Sequence, residues 1–542
     1  MQVIGLAVDQ KDLEVVEEFF ELFKTPWEYA VEKKTYRVVL SSNDSHERFD
    51  AEVFLVYGSG KRISDKKASV AVNCVGGPID LRFRDCSFPV YGKVGLFDLA
   101  HDQVTIEANG KAVDYRCEAE GQVTWRIGYD LFEEVRYLLT KGQPVARSLK
   151  PTLEFHIELL RHLLIESKIP FVEIPPSPLG YDYICCLTHD VDFFGIRRHQ
   201  LDRTMAGFLY RASFGTLIDL VSGRRSLEEA IRNWLAVLAL PLVFLKLLPD
   251  LWRPFHDYAE VEAGLRSTYY LVPFGGKPGI APDCSLNPWR ATPYGLRDVC
   301  EEVKGAAARG NEIGVHGIDA WHDAGSGREE IDELTSVTNQ SVVGVRMHWL
   351  YYSEASPRCL DEAGFNYDST WGYNEAIGYR AGTSQVFQPL GSQQLMELPM
   401  SIMDSALFST GRMNINQGEA LQLCSEIVSN AKRFGGTLVV NWHERSLAPE
   451  RLWGNAYGKL LEMIREENRV WFATAAEAVS WFRWRRSISF EATSDSHSGH
   501  VRVTASGPIE QGAVVWIHQP STGAHKVQKL VFDGTVPVEV MT

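Results

Sequence analysis

The chain has 542 residues, 45% hydrophobic and 11% aromatic, enough for about three or four compact units with real cores, which excludes disordered, collagen-like and coiled-coil architectures. With 55 Lys and Arg against 70 Asp and Glu, the net charge of −15 argues against broad attraction to phosphate backbones, and no nucleic-acid partner is expected. Nine scattered cysteines without a CxxC pair, and an N-terminus without the pattern of a secretory signal, give a reducing, cytoplasmic setting as the expectation.

Residues 1–170 read as an α/β domain of unassigned role. Val15, Phe19, Phe20 and Phe23 recur at helical spacing, and the runs at 36–42 and 52–60 have strand character. Four prolines between Ile169 and Asp182 predict a linker. From Tyr183 to Arg486, strand-length apolar runs at 183–189, 267–274, 312–316, 342–348 and 438–443 alternate with helical stretches such as 296–309 and 421–434. That alternation predicts a parallel sheet or (β/α) barrel over 171–486. Four of the five runs end in, or lead straight into, His or Asp, and strand ends of such a barrel converge on one face.

Between the first two runs, Trp234 to Trp252 is almost wholly apolar and close to the roughly 20 residues that span a bilayer, but Pro241 divides it. A spanning helix would separate Asp192 from His316. The expected alternatives are a buried helical hairpin, or an exposed flap making peripheral contact with the inner face of a membrane. Residues 487–542 alternate apolar and polar side chains between turn residues, predicting a small antiparallel, β-sandwich-like domain.

Four motifs carry candidate chemistry. Thr188-His189-Asp190-Val191-Asp192 offers two carboxylates, one suited to a metal and the other to base catalysis. Such a DxD also occurs in phosphatases, where Phe194 would be out of place, and in glycosyltransferases, which would leave His316 and His443 unexplained. As a plain turn, it would be a cap. Residues 310–322 supply His316 and His322, nitrogen ligands that zinc favours beside a carboxylate. Arg346-Met347-His348 and Asn441-Trp442-His443-Glu444-Arg445 close two further runs.

The order of these motifs resembles the polysaccharide deacetylase family, also called NodB-homology or carbohydrate esterase family 4, over about residues 183–486. The resemblance implies a distorted (β/α) barrel with one divalent metal, most often zinc, in an Asp-His-His site. It implies that Asp190 is the base, Asp192 and His316 are metal ligands, His443 is the general acid and Arg346 orients the base. The family's adjacent aspartates are here split by Val191. Its second His falls where Ala320 stands, so His322 is the expected third ligand, with Asp319 or His348 as alternatives. The implied activity is metal-dependent removal of an N-acetyl or related acyl group from an amino sugar of a cell-envelope, capsule or lipid-linked glycan. The stretch HGIDAWHD also resembles deformylases of lipid-linked amino sugars, and a metal-free glycan-binding protein is the non-enzymatic alternative. Trp349, Tyr351, Trp371, Tyr373, Tyr379 and Arg380 follow the third motif as expected sugar contacts, since sugar faces are apolar and their edges polar.

Overall fold

The computed structural model describes residues 3–99, 104–119, 121–200, 202–223, 225–492, 500–520, 525–534 and 538–541. The chain forms two compact units, one of Met1–Gly180, Arg380–Leu390 and Ser480–Thr542, the other of Tyr181–Tyr379 and Gly391–Val479.

The first unit contains a six-stranded sheet in the order Asp114–Ala119, Gln122–Ile127, Asp50–Tyr57, Thr35–Ser41, Ile4–Ala7, Trp27–Tyr29, parallel except for its first pair. Helix Leu13–Phe23 buries the predicted Val15, Phe19, Phe20 and Phe23. A second six-stranded sheet is antiparallel. The proline-rich segment is more than a linker, because Phe171–Glu173 pairs antiparallel with Ala513–Gln519. There the Glu173 carboxylate meets His518 Nε2 at 2.9 Å, and the Phe171 ring stacks on His518 at 4.2 Å. Strands Ala513–Gln519 and Lys526–Phe532 form one sheet with Phe171–Glu173, and Ser489–Ala492, His500–Thr504 and Val538–Met541 form a separate three-stranded sheet; both fall in the first unit. Residue 493 and residues 536–537 of the predicted C-terminal runs lie outside the described residues.

The second unit is built on a curled parallel sheet. Its strands are β1 (Tyr183–Val191), β2 (Thr268–Leu271), β3 (Glu312–Gly317), β4 (Gly344–Met347), β5 (Tyr367–Asp368), β6 (Met396–Glu397), β7 (Ile402–Met403), β8 (Thr437–Asn441) and β9 (Val470–Phe472). The order is β6-β5-β4-β3-β2-β1-β8-β7, with β9 also paired to β1. No ladder joins β6 to β7 among the described residues, so the sheet is an open half-barrel. β1 is buried from end to end, as expected of a strand covered on both faces.

Two glycines admit aromatic rings into this sheet. A Cβ on Gly314 would stand 2.7 Å from the Tyr270 ring, and one on Gly344 would stand 1.9 Å from the Tyr367 ring. The two rings are linked: Tyr270 Oη donates to Tyr367 Oη at 3.2 Å, and Tyr367 Oη donates to Glu312 at 2.6 Å.

The helical excursion between β1 and β2 departs from the buried-hairpin expectation. Helix Leu227–Phe244 contains Pro241 and leaves Leu227, Ile231, Leu235, Leu238 and Leu242 exposed. Ahead of it, the helical run Arg203–Val221 exposes Leu209, Tyr210, Phe214, Leu217, Ile218 and Val221. Among the described residues, no helix is long and apolar enough to cross a membrane.

Candidate active site

β1 runs into the DxD motif and ends at Val191, so Asp192 stands just past the strand. Alternate residues of a strand share a face, so Thr188 and Asp190 project together while His189 projects oppositely. His189 is accordingly structural: its Nδ1 lies 2.9 Å from the Trp442 carbonyl, and its Nε2 lies 2.9 Å from Glu262 Oε1. Arg346, buried on β4, donates from Nη1 to both Thr188 Oγ1 and Asp190 Oδ1 at 2.9 Å. Its Nε and Nη2 donate to Ser369, and its guanidinium lies over the Tyr270 ring at 4.4 Å. Asn441 at the end of β8 donates to Asp190 Oδ2 at 2.7 Å. Burial pushes the Asp190 carboxyl up, but the charges of Arg346, His316 and His443 outweigh it and hold the group below the usual range.

Asp192, His316 and His348 converge beside Asp190. Asp192 Oδ1 lies 3.2 Å from His316 Nε2 and 3.2 Å from His348 Nε2, yet it has no hydrogen-bond partner and is buried. The ligand atoms of the three residues lie within 4.8 Å of one another. His316 Nδ1 donates to the Arg346 carbonyl at 2.9 Å, which leaves its Nε2 lone pair facing Asp192. Burial takes His348 down to about 4, so its ring is neutral near pH 7. A buried, unpaired carboxylate oxygen facing two imidazole lone pairs is the donor set of a divalent metal site.

His322, the expected third ligand, is not part of this set. The carboxylate of Glu330 accepts the amide N–H groups of Ile318 and Asp319 at 2.9 to 3.2 Å and turns the chain directly after β3. His322 then sits 3.2 Å from Asp319 Oδ1 and against Trp321, while Asp319 accepts the Ile280 amide. The alternative His348 takes the position instead. Buried Arg290 donates to the His348 carbonyl at 2.9 and 3.2 Å and to the Gly317 carbonyl at 3.2 Å, tying the two His-bearing strand ends together. Trp349 follows with φ of 65°, a left-handed conformation uncommon for a bulky residue.

Facing Asp190, His443 Nε2 lies 4.0 Å from Asp190 Oδ2, and His443 Nδ1 lies 2.6 Å from Asp404 Oδ1. Burial alone would lower His443, but Asp404, with Asp192 and Asp190, raises it to about 9 and keeps it protonated near pH 7. Asp404 also accepts the Ser446 hydroxyl. It stands directly after β7, a strand of two residues that the sequence pattern does not register. Glu444, whose carboxylate accepts the Asp192 amide at 3.1 Å, is raised to about 7 by burial and by Asp192.

A cavity of about 180 Å³ holds Asp190, Asp192, His316, His348 and His443, and its lining includes Trp349, Asn374, Arg412 and Arg451. Of the expected sugar contacts, only Trp349 lines it. Tyr351 packs beside Trp349 at 6.1 Å, under the guanidinium of Arg290. Trp371, Tyr373 and Tyr379 are buried in the rim, with Tyr379 Oη donating to the Ile427 carbonyl, and Arg380 belongs to the other unit. The rings of Trp371, Tyr373 and Tyr379 are buried, whereas Asn374 of the same segment lines the cavity.

No family model matches the chain, and no curated protein does. Solved structures similar to it include a "putative polysaccharide deacetylase" from Mycobacterium smegmatis, 20% identical, covering 57% of this chain and 95% of that one with a TM-score of 0.35. A "probable polysaccharide deacetylase" from Pseudomonas aeruginosa PAO1 is 15% identical over 59% and 97%, also with a TM-score of 0.35. An allantoinase is 14% identical over 57% and 92%, with a TM-score of 0.32.

Proposed function

We propose that the second unit is a metal-dependent hydrolase that removes an N-acetyl or related acyl group from an amino sugar of a cell-envelope, capsule or lipid-linked glycan. The observation that carries this reading is one arrangement. A convergent Asp192, His316 and His348 set lies beside a carboxylate held ionised, Asp190, which an imidazolium held protonated, His443, faces at 4.0 Å.

Asp192, His316 and His348 would hold the metal, with zinc the leading candidate for this donor set. When bound, the metal supplies Lewis acidity for attack on an amide carbonyl. Asp190, fixed by Arg346 and Asn441, takes the proton of the attacking water. His443, oriented by Asp404, gives its Nε2 proton to the departing amine as the carbon–nitrogen bond breaks. The Trp349 indole, 38% exposed at the cavity, offers an apolar plate to a sugar face.

The test is acetate release from N-acetylated amino-sugar oligomers by zinc-loaded protein. Asp190→Asn should keep its metal and lose about 10²- to 10⁴-fold in turnover. Full activity in that variant contradicts the role given to Asp190.

A further inference from the structure

Helix Leu227–Phe244 is turned inside out for a water-facing helix. Its buried residues are Ala230, Asn233, Ala236, Leu240 and Val243, three of them small or polar. Leu227, Ile231, Leu235, Leu238, Leu242 and Leu245, spaced three or four apart, form a stripe facing solvent, with Leu235 59% and Leu238 74% exposed. A surface helix normally turns such a stripe to the core. Eighteen residues at about 1.5 Å each make the stripe about 27 Å long. Fourteen of the twenty-five exposed large hydrophobic residues among the described ones lie between 209 and 248. Monomers seldom expose a continuous apolar patch beyond about 300–600 Å².

Charge indicates what covers this surface. Residues 197–253 contain nine Lys and Arg against five Asp and Glu, a net +4 in a chain of −15. Arg198, Arg203, Arg232 and Lys246 are exposed within this excursion, as is Glu228, which lies 3.7 Å from Arg232 on the same helix. Two copies pairing through this face would bring like charge together. An apolar stripe flanked by Lys and Arg instead suits a helix lying in the interface of an anionic bilayer. The excursion also borders the site. A second cavity of about 1030 Å³, lined by Arg211, Gly215 and Arg225, shares Ser409 and Arg451 with the catalytic cavity.

We propose that residues 203–248 dock in the headgroup region of an anionic lipid bilayer, which holds the catalytic cavity beside the membrane surface. This docking rests on the surface itself and does not depend on the reaction proposed above.

The test is flotation of the purified full chain with vesicles of equal parts phosphatidylcholine and phosphatidylglycerol, and with phosphatidylcholine alone. Light scattering of the free protein runs beside it. The expected result is binding to the mixed vesicles that weakens with salt. It should fall about tenfold or more in a folded Leu235→Glu/Leu238→Glu variant. Zinc content and acetate release from soluble substrate stay unchanged in that variant, so failure of docking and failure of the hydrolase reading are separable. Absence of flotation at low salt, or equal binding by the variant, overturns the proposal. So does a dimer that the variant dissolves without any vesicle binding, which would make a second copy the occupant.

Discussion

One carboxylate grips His443 twice: Asp404 Oδ1 lies 2.6 Å from its Nδ1, and Asp404 Oδ2 accepts its backbone N–H at 2.8 Å. The first contact fixes the tautomer and charge of the ring, and the second fixes the strand end that carries it. A general acid needs both, because its proton must be present and aimed at the leaving group.

Asp404→Asn tests the ionic contact. His443 stands at about 9, above its ordinary 6.5, so the proton is fully present below 6.5 and is lost as pH rises through about 9. Turnover should therefore fall on the alkaline side. Removing the Asp404 charge should move the alkaline limb toward neutrality and cut kcat at pH 8 by about tenfold or more. A pH–rate profile checks it, and a purely structural role would lower the plateau without moving the limb.

Arg346→Lys should not be conservative. The guanidinium reaches Thr188, Asp190 and Ser369 from one plane and covers the Tyr270 ring. A lysine ammonium cannot reproduce that fork. Turnover should drop about 10²-fold with metal content retained, as read by kinetics beside elemental analysis.

The strands bearing Asp190, His316, Arg346 and His443 were legible because each is a buried apolar run ending in a polar group. Their register then follows from parallel pairing, with His316 directly opposite Arg346. Asp404 escaped because β7 has only two residues, and a pattern that short carries no period. His348 was legible only as an alternative to His322. The choice depends on Glu330 and Arg290, whose hydrogen bonds to distant backbone leave no trace in local spacing. Composition does not separate a ring that meets a sugar from one that packs inward: Trp371, Tyr373 and Tyr379 are buried, while Asn374 between them lines the cavity.

Gly344→Ala should destabilise the second unit. The new Cβ would fall within 1.9 Å of the Tyr367 ring, which is pinned by Tyr270 and Glu312. Overpacking of this kind costs about 1–3 kcal/mol, and urea denaturation should show a lowered midpoint at unchanged slope.

The first unit should lose stability in acid through His156. Burial takes this histidine down to about 3, and its Nε2 has no hydrogen-bond partner. The unfolded chain takes up a proton below about 6.5 while the folded unit does not, so stability present above 6.5 is lost as pH falls toward 3. The slope from this group approaches about 1.4 kcal/mol per pH unit. His156→Gln should flatten it in denaturation series at pH 7 and pH 5.

The convergence of Asp192, His316 and His348 is the centre of this account, and metal stoichiometry tests it most directly. Zinc titration followed by elemental analysis should find about one ion per chain in the wild type and in His322→Ala. Binding should fall more than the roughly 10- to 100-fold of outer-shell changes in His348→Ala. Retention of zinc by His348→Ala with its loss from His322→Ala, or no stoichiometric zinc in the wild type, would contradict the account.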